Sequence, residues 1–268
     1  MSSFYQRLGK ALLAAHRGWR TIRPENTISA FEAALGHFDL IELDIQLSRD
    51  GEWIVCHDPS LERTTDVEHA FPKGIRPRRV GDYTLEELRR LDAGGWFLRR
   101  DPYGTIASGR VSPAELEALG VQRLPTLREV LAFSRAHRIP LNIEIKDMPT
   151  ERERTVVTRL LRVLENSASA SLLISSFNHR YLKLLKEIAP ELPTAALVEA
   201  EHPPRLIDYL TTLGVEAYHV EDALAETTPV SLLHEHGISS AVYTVNDSDR
   251  AGRLFRSGFV GIFCDRPF

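Results

Sequence analysis

Cysteine, methionine and tryptophan are scarce, with two, two and three residues in a chain of 268. Two cysteines exclude a disulfide framework. Cys56 and Cys264 both sit inside apolar, strand-like runs, which predicts buried free thiols. No stretch approaches the ~18 consecutive apolar residues of a membrane span. The opening "MSSFYQRLGKALLAAHRG" also lacks the apolar core and small-residue cleavage site of a secretory signal. A soluble, cytoplasmic protein is therefore expected. An excess of one charge is missing too: a net charge of −4 leaves no electrostatic footprint for nucleic acid, and the basic run "GIRPRR" is too short to create one. The chain contains no HExxH, Cys-x-x-Cys, GxSxG or P-loop motif, which removes zincin, thiol-redox, α/β-hydrolase and P-loop NTPase chemistry.

What is present is alternation. Apolar, β-branched runs begin at 141 ("LNIEIK"), 172, 194, 216, 240 and 260, so successive starts lie 31, 22, 22, 24 and 20 residues apart. Helical patterns such as "TVVTRLLRVLEN" and "HRYLKLLKEIAP" fill the gaps, which predicts a parallel sheet. Upstream, "LLAAH", "LIELDIQL" and "WIVCH" bring the count to eight before the final short run, the number that closes a TIM (β/α)8 barrel. A doubly wound open sheet is the alternative. Two features break the rhythm. "LSRDG" is too short for a crossover helix, and Asp50-Gly51 reads as a two-residue hairpin turn that sets Asp44 opposite His57. The stretch that follows is rich in Gly, Pro and charge, with helical patterns only at "TLEELRRL" and "SPAELEAL", the latter capped by Ser112 with Glu115 completing a capping box. Such a loop predicts a small insertion subdomain, residues 59–120, after the third strand, poor in apolar positions and lying over the barrel mouth. The whole chain, 1–268, then forms one barrel domain.

Chemistry concentrates at the strand ends. Glu42 and Asp44, at i and i+2 of one strand, point to the same face. Carboxylates in so apolar a run are costly without a cation or hydrogen-bond donors beside them. Glu144 and Lys146 repeat the spacing, either as a same-face ion pair or as the source of a third carboxylate. Three together would make an all-oxygen site for a hard cation such as Mg²⁺ or Ca²⁺. His16 and His57 each end a strand, and their ordinary pKa suits proton transfer near neutral pH. Arg17 offers a fork of donors that matches a phosphate, while Gly18 lets the chain turn away. In the "RPEN" turn, Asn26 reads as the cap of the next helix and Glu25 as a brace for the site.

Together "AHRG…RPENTISAFEAAL…LIELDIQLSRDGEWIVCHDPSLERTTD", "LPTLREVL", "LNIEIK", "SSFNHRYLKLLKEIAP", "VYTVND" and "GIFCDRP" resemble the glycerophosphodiester phosphodiesterase family, in order and across essentially the whole chain. The resemblance implies a TIM barrel with an insertion after the third strand. It implies His16 and His57 as the acid–base pair, Glu42, Asp44 and Glu144 as ligands of one divalent metal ion (Mg²⁺ or Ca²⁺, with Mn²⁺ also suitable), and Arg17 and Lys146 on the phosphate. The implied reaction is metal-dependent hydrolysis of small-molecule glycerophosphodiesters to an alcohol and sn-glycerol 3-phosphate, with no nucleic acid or membrane span involved. The chain departs from the family where Tyr243 replaces a usual Trp and where "YHVED" replaces an apolar or Asn-Pro stretch. Tyr243 either stacks on the substrate or packs in the barrel, and Phe177 either walls the pocket or packs. His219 and Glu221 are expected to line the pocket and tune head-group preference. His37, His69, His137, His179, His202, His234 and His236 fall on helices or loops and are expected to be structural. Two alternatives are a lysolipid phospholipase-D-like lyase that stops at a cyclic phosphate, disfavoured by the large insertion, and a non-catalytic glycerophosphate-binding protein.

Overall fold

In the computed structural model, residues 4–73, 77–165 and 171–268 are described. The first half of "GIRPRR" and the last residue of the "TVVTRLLRVLEN" pattern lie outside them. The chain begins with α1 (Phe4–Leu8), β1 (Leu12–His16), α2 (Ile28–Ala34), β2 (Leu40–Leu47) and β3 (Trp53–Val55). Four short helices follow: α3 (Val67–Ala70), α4 (Leu85–Leu88), α5 (Gly95–Arg100) and α6 (Pro113–Ala118). Regular alternation then resumes with α7 (Leu127–His137), β4 (Leu141–Ile145), α8 (Glu153–Leu164), β5 (Leu172–Ser176), α9 (His179–Ile188) and β6 (Thr194–Val198). It ends with α10 (Leu206–Leu213), β7 (Ala217–Glu221), α11 (Val230–Glu235), β8 (Ser239–Tyr243), α12 (Ser248–Arg256) and β9 (Gly261–Cys264).

The sheet order is β1-β9-β8-β7-β6-β5-β4-β2-β3, and an additional β1–β2 pairing closes the eight parallel strands into a TIM barrel. The third strand in the chain is not one of its staves. β3 pairs antiparallel with β2, because a tight turn can join only antiparallel neighbours, and the eighth stave is instead the short final run, β9. The hairpin register also differs from expectation by one residue. The ladder pairs Ile45 with Val55, Gln46 with Ile54 and Leu47 with Trp53, so Asp44 faces Cys56 rather than His57. The turn has three residues, not two. Gly51 takes a left-handed φ of +84° and donates to the Ser48 carbonyl at 2.9 Å, while Ser48 Oγ bonds Asp50 and the Glu52 N–H.

Alternation along each stave builds two cores. Ile41, Leu43, Ile45 and their counterparts face outward against the helices. Leu12, Ala14, Leu40, Leu173, Ala195, Ala217, Ala241 and Phe263 face inward. Four of these inward residues are alanines, and α1 fills the space they leave by inserting Phe4 and Tyr5 at the base of the barrel. Cys56 and Cys264 are free and buried, and burial pushes both thiols up to about 12. No helix among the described residues is long and apolar enough to cross a membrane.

The segment after β3, expected from its sequence to be poor in apolar positions, carries two apolar clusters of its own. One joins Leu61, Val67, Val80, Leu88 and Leu91 to Ile54 and Cys56 at β3. The other centres on Trp96, Phe97, Val111 and Leu116. Ser112 caps α6 as expected, and Glu115 completes the box. If these clusters are a subdomain, Leu88→Ala and Phe97→Ala, each costing about 2–5 kcal/mol, should speed amide exchange and proteolysis within 59–120 alone. Phe31→Ala, in the barrel–helix layer, should instead lower the unfolding midpoint of the whole chain. Uniform loss of stability in all three variants would make the segment continuous with the barrel core.

Candidate active site

β1 ends at His16, and the next two residues bend the chain sharply. Arg17 has a φ of +60° and Gly18 of +81°. A Cβ at position 18 would lie 2.7 Å from the Ala30 Cβ, so only glycine allows the turn to press onto the first turn of α2. The loop closes on itself where the Asn26 N–H donates to the Arg17 carbonyl at 3.0 Å. This arrangement directs the Arg17 backbone N–H to Glu42 Oε2 at 2.9 Å. Asn26 does not cap α2. Thr27 does, accepting from the Ala30 N–H, and the Asn26 side chain is thereby left to donate to Asp44 Oδ2 at 2.9 Å.

Strand register brings the acids together. His16 pairs with Glu42 across β1 and β2, and Asp44 pairs with Glu144 across β2 and β4. Carboxylate oxygens of Glu42, Asp44 and Glu144 all lie within 4.8 Å of one another. Two cations answer them. Lys146 Nζ stands 2.5 Å from Glu144 and 3.5 Å from Asp44, and Arg17 Nε stands 3.4 Å from Asp44 without hydrogen-bond geometry, leaving that buried N–H unpaired. Burial alone would raise the Asp44 carboxyl, but Arg17, His57, Lys146 and Asn26 hold it well below the usual range. The other two are undercompensated. Burial and the neighbouring carboxylates raise Glu42 well above its ordinary value and Glu144 to about 7. An all-oxygen donor set with two proton-holding carboxyls has the chemistry of a hard divalent cation site: the acids converge, and positive charge is short.

Each strand-end histidine has an aspartate on its Nδ1. His16 Nδ1 lies 2.9 Å from Asp265 Oδ1, and Asn246 donates to the other oxygen at 2.7 Å. Burial, aided by Arg17 and Arg20, lowers His16 to about 4 against the opposing pull of Asp265, which itself stays near 2. His57 Nδ1 lies 2.6 Å from Asp58 Oδ1, and Arg63 Nε donates to Asp58 Oδ2 at 2.5 Å. In both pairs the Nδ1 position is committed, and Nε2 is the nitrogen left for chemistry.

A narrow cavity at the strand ends is bounded by His16, Glu42, Asn142, Glu144, Phe177, Leu197, Tyr243 and Phe263. Phe177, 37% exposed, sets its ring edge-to-face with Tyr243 at 6.0 Å, and Lys146 Nζ lies 5.9 Å from its centroid. Tyr243 lends a ring to the cavity while its hydroxyl donates to the Val198 carbonyl at 2.6 Å. His219 and Glu221 do not line this cavity. His219 is 0% exposed, with its ring centroid 4.9 Å from that of Phe263 and its plane tilted 57° to it, and is bonded through Nε2 to the Tyr5 hydroxyl at 2.8 Å; Glu221 is exposed at the end of β7. A larger cleft of about 520 Å³ between α9 and α10 has no comparable convergence of acids, cations and histidines.

Sequence reasoning missed Asp265, Asp58, Asn246 and the true role of Asn26. The first three stand in motifs already noted, "GIFCDRP", "VCHDP" and "VYTVND", where an acid or amide beside a strand end was the available signal.

The model of the Glycerophosphoryl diester phosphodiesterase family matches residues 16–268. A glycerophosphodiester phosphodiesterase of Bacillus altitudinis is 33% identical over 94% of both chains. One of Bacillus subtilis is 31% identical over 96% of this chain and 84% of its own. Among solved structures, a phosphodiesterase of Oleispira antarctica, in complex with its product sn-glycerol-3-phosphate, superposes with a TM-score of 0.80 at 27% identity, covering 99% of this chain and 96% of the other. With the match running from His16 to the last residue and the barrel and strand-end cluster in place, the chain belongs to the glycerophosphoryl diester phosphodiesterase family.

Proposed function

We propose that the protein hydrolyses glycerophosphodiesters to an alcohol and sn-glycerol 3-phosphate with one divalent cation, Mg²⁺, Ca²⁺ or Mn²⁺, held by Glu42, Asp44 and Glu144. The observation that carries this reading is the convergence of those carboxylates with Arg17, Lys146 and two aspartate-held histidines at one barrel mouth. A bound cation would supply Lewis-acid stabilisation of phosphoryl charge. The unpaired Arg17 N–H and the Lys146 ammonium hold phosphate oxygens and meet the negative charge of the transition state. His16, kept unprotonated by burial, takes the proton from the attacking oxygen. His57, outside the cavity wall and 2.6 Å from Asp58, gives a proton to the leaving alcohol. Phe177 and Tyr243 form the apolar wall, and residues 59–120 act as a cap over the mouth.

Turnover of glycerophosphocholine with Mg²⁺, Mn²⁺ or Ca²⁺, abolished by a chelator, is the expected result. Binding without turnover would make the protein a glycerophosphate binder, and a cyclic phosphate as end product would make it a lyase.

Ala at His16 or His57 should lower turnover by about 10²–10⁴-fold with the fold intact. The two roles are separable. A substrate with an activated aryl leaving group should largely restore the His57→Ala variant but not His16→Ala. Equal restoration of both would reverse or remove this assignment.

Cation affinity should fall with pH. Glu144 must shed a proton held to about 7, so affinity should drop by about tenfold between about pH 8 and about pH 6, with proton release on binding. Calorimetry in buffers of different ionisation enthalpy measures this directly. Affinity independent of pH over that range would remove Glu144 from the ligand set.

A further inference from the structure

Glu25 lies in the loop between β1 and α2, 5% exposed, and is surrounded by cations. Arg17 reaches its Oε1 at 3.0 Å and Arg20 its Oε2 at 2.6 Å. Arg63 straddles both oxygens, at 2.6 and 3.1 Å. Three guanidiniums on one buried carboxylate would be strongly unbalanced unless each had a second anion, and each does. Arg17 continues to Asp44, Arg20 to Asp265 and Arg63 to Asp58. The last two are the aspartates that hold His16 and His57. One carboxylate thus stands a single arginine away from the acidic cluster and from both histidine pairs.

The distances show what Glu25 prevents. Arg20 Nη1 is 3.6 Å from Asp265 Oδ1, the oxygen that His16 uses at 2.9 Å, and 3.4 Å from His16 Nδ1 itself. Freed from Glu25, that guanidinium would close on Asp265 Oδ1 and compete with the imidazole for it. Arg63 already takes Asp58 with two donors, Nε on Oδ2 at 2.5 Å and Nη2 on Oδ1 at 3.1 Å, and with its other side held by Glu25 it leaves His57 the shorter bond to Oδ1, at 2.6 Å. We propose that Glu25 is the common positioning residue of both histidines, holding Arg20 and Arg63 back so that Asp265 and Asp58 each keep their short bond to an imidazole.

The kinetic side of this inference rests on His16 and His57 being the acid and base; the geometric side does not. The test therefore has two readouts. The downfield Nδ1 proton resonances of the two His–Asp hydrogen bonds report geometry whether or not the histidines act in turnover. Glu25→Gln should shift both, Arg20→Gln only that of His16, and Arg63→Gln only that of His57. In the second readout, Arg20→Gln and Arg63→Gln should each lower kcat by about tenfold or more with KM little changed. Because they share one node, their combined effect should depart from the product of the singles by about threefold or more. Should Glu25→Gln not fold, the arginine pair still decides. Resonances unmoved in Glu25→Gln, or losses that simply multiply in the double variant, would overturn the shared role. Full activity in His16→Ala would instead overturn the acid–base reading, with the resonances still deciding the geometry.

Discussion

Three carboxylates held within 4.8 Å at the barrel mouth repel one another, and the surrounding structure is organised by that repulsion. Their backbones are fixed by parallel register between β2 and β4, so the side chains cannot separate by relaxing. Positive charge and donors must be brought to them. Lys146 comes from the residue just past the stave that carries Glu144. Arg17 comes from a turn that only Gly18 makes possible, and Asn26 from a left-handed position in the loop that closes the turn. The distribution is uneven: Asp44 receives most of the compensation and stays ionised, whereas Glu42 and Glu144 retain a pull on protons. A scaffold that neutralised all three fully would have no use for a cation.

Much of this was legible in the sequence, because period-two alternation and strand–helix spacing report burial directly. The parallel barrel followed from the apolar runs after residue 141, and the same-face placement of Glu42 with Asp44 followed from their i, i+2 spacing. What escaped depends on contacts between distant residues or on turn geometry. Asp265 meets His16 across 249 positions of the chain, so its place beside a strand end does not show which residue it will hold. The hairpin register turned on whether Arg49 belongs to the turn, a choice made by Ser48 Oγ and the left-handed Gly51. Asn26 and Thr27 are both good capping residues, and the backbone, with Asn26 at φ +57° and Thr27 extended, decides between them.

The barrel is closed from below by side chains rather than by backbone. Small inward residues on β1, β6, β7 and β8 leave room that Phe4 and Tyr5 occupy, and the Tyr5 hydroxyl satisfies one nitrogen of the otherwise sealed His219. Burial holds His219 near 3, so it is neutral at physiological pH and contributes no charge to the site above it. This histidine looked like a pocket residue from its place on β7, but the floor of the cavity is the Phe263 ring above it.

β2 is eight residues long, while the staves on either side have five. β1 pairs only with its lower half, through Glu42, and would leave the upper half as an open edge. Open edges invite pairing between molecules. β3 fills that vacancy from Ile45 to Leu47, continuing the position that β1 abandons when it veers off at Gly18. The hairpin therefore serves as a built-in guard against strand-to-strand self-association. It also ties the start of the insertion to the barrel by main-chain hydrogen bonds, so the root of that segment is a fixed wall rather than a hinged door.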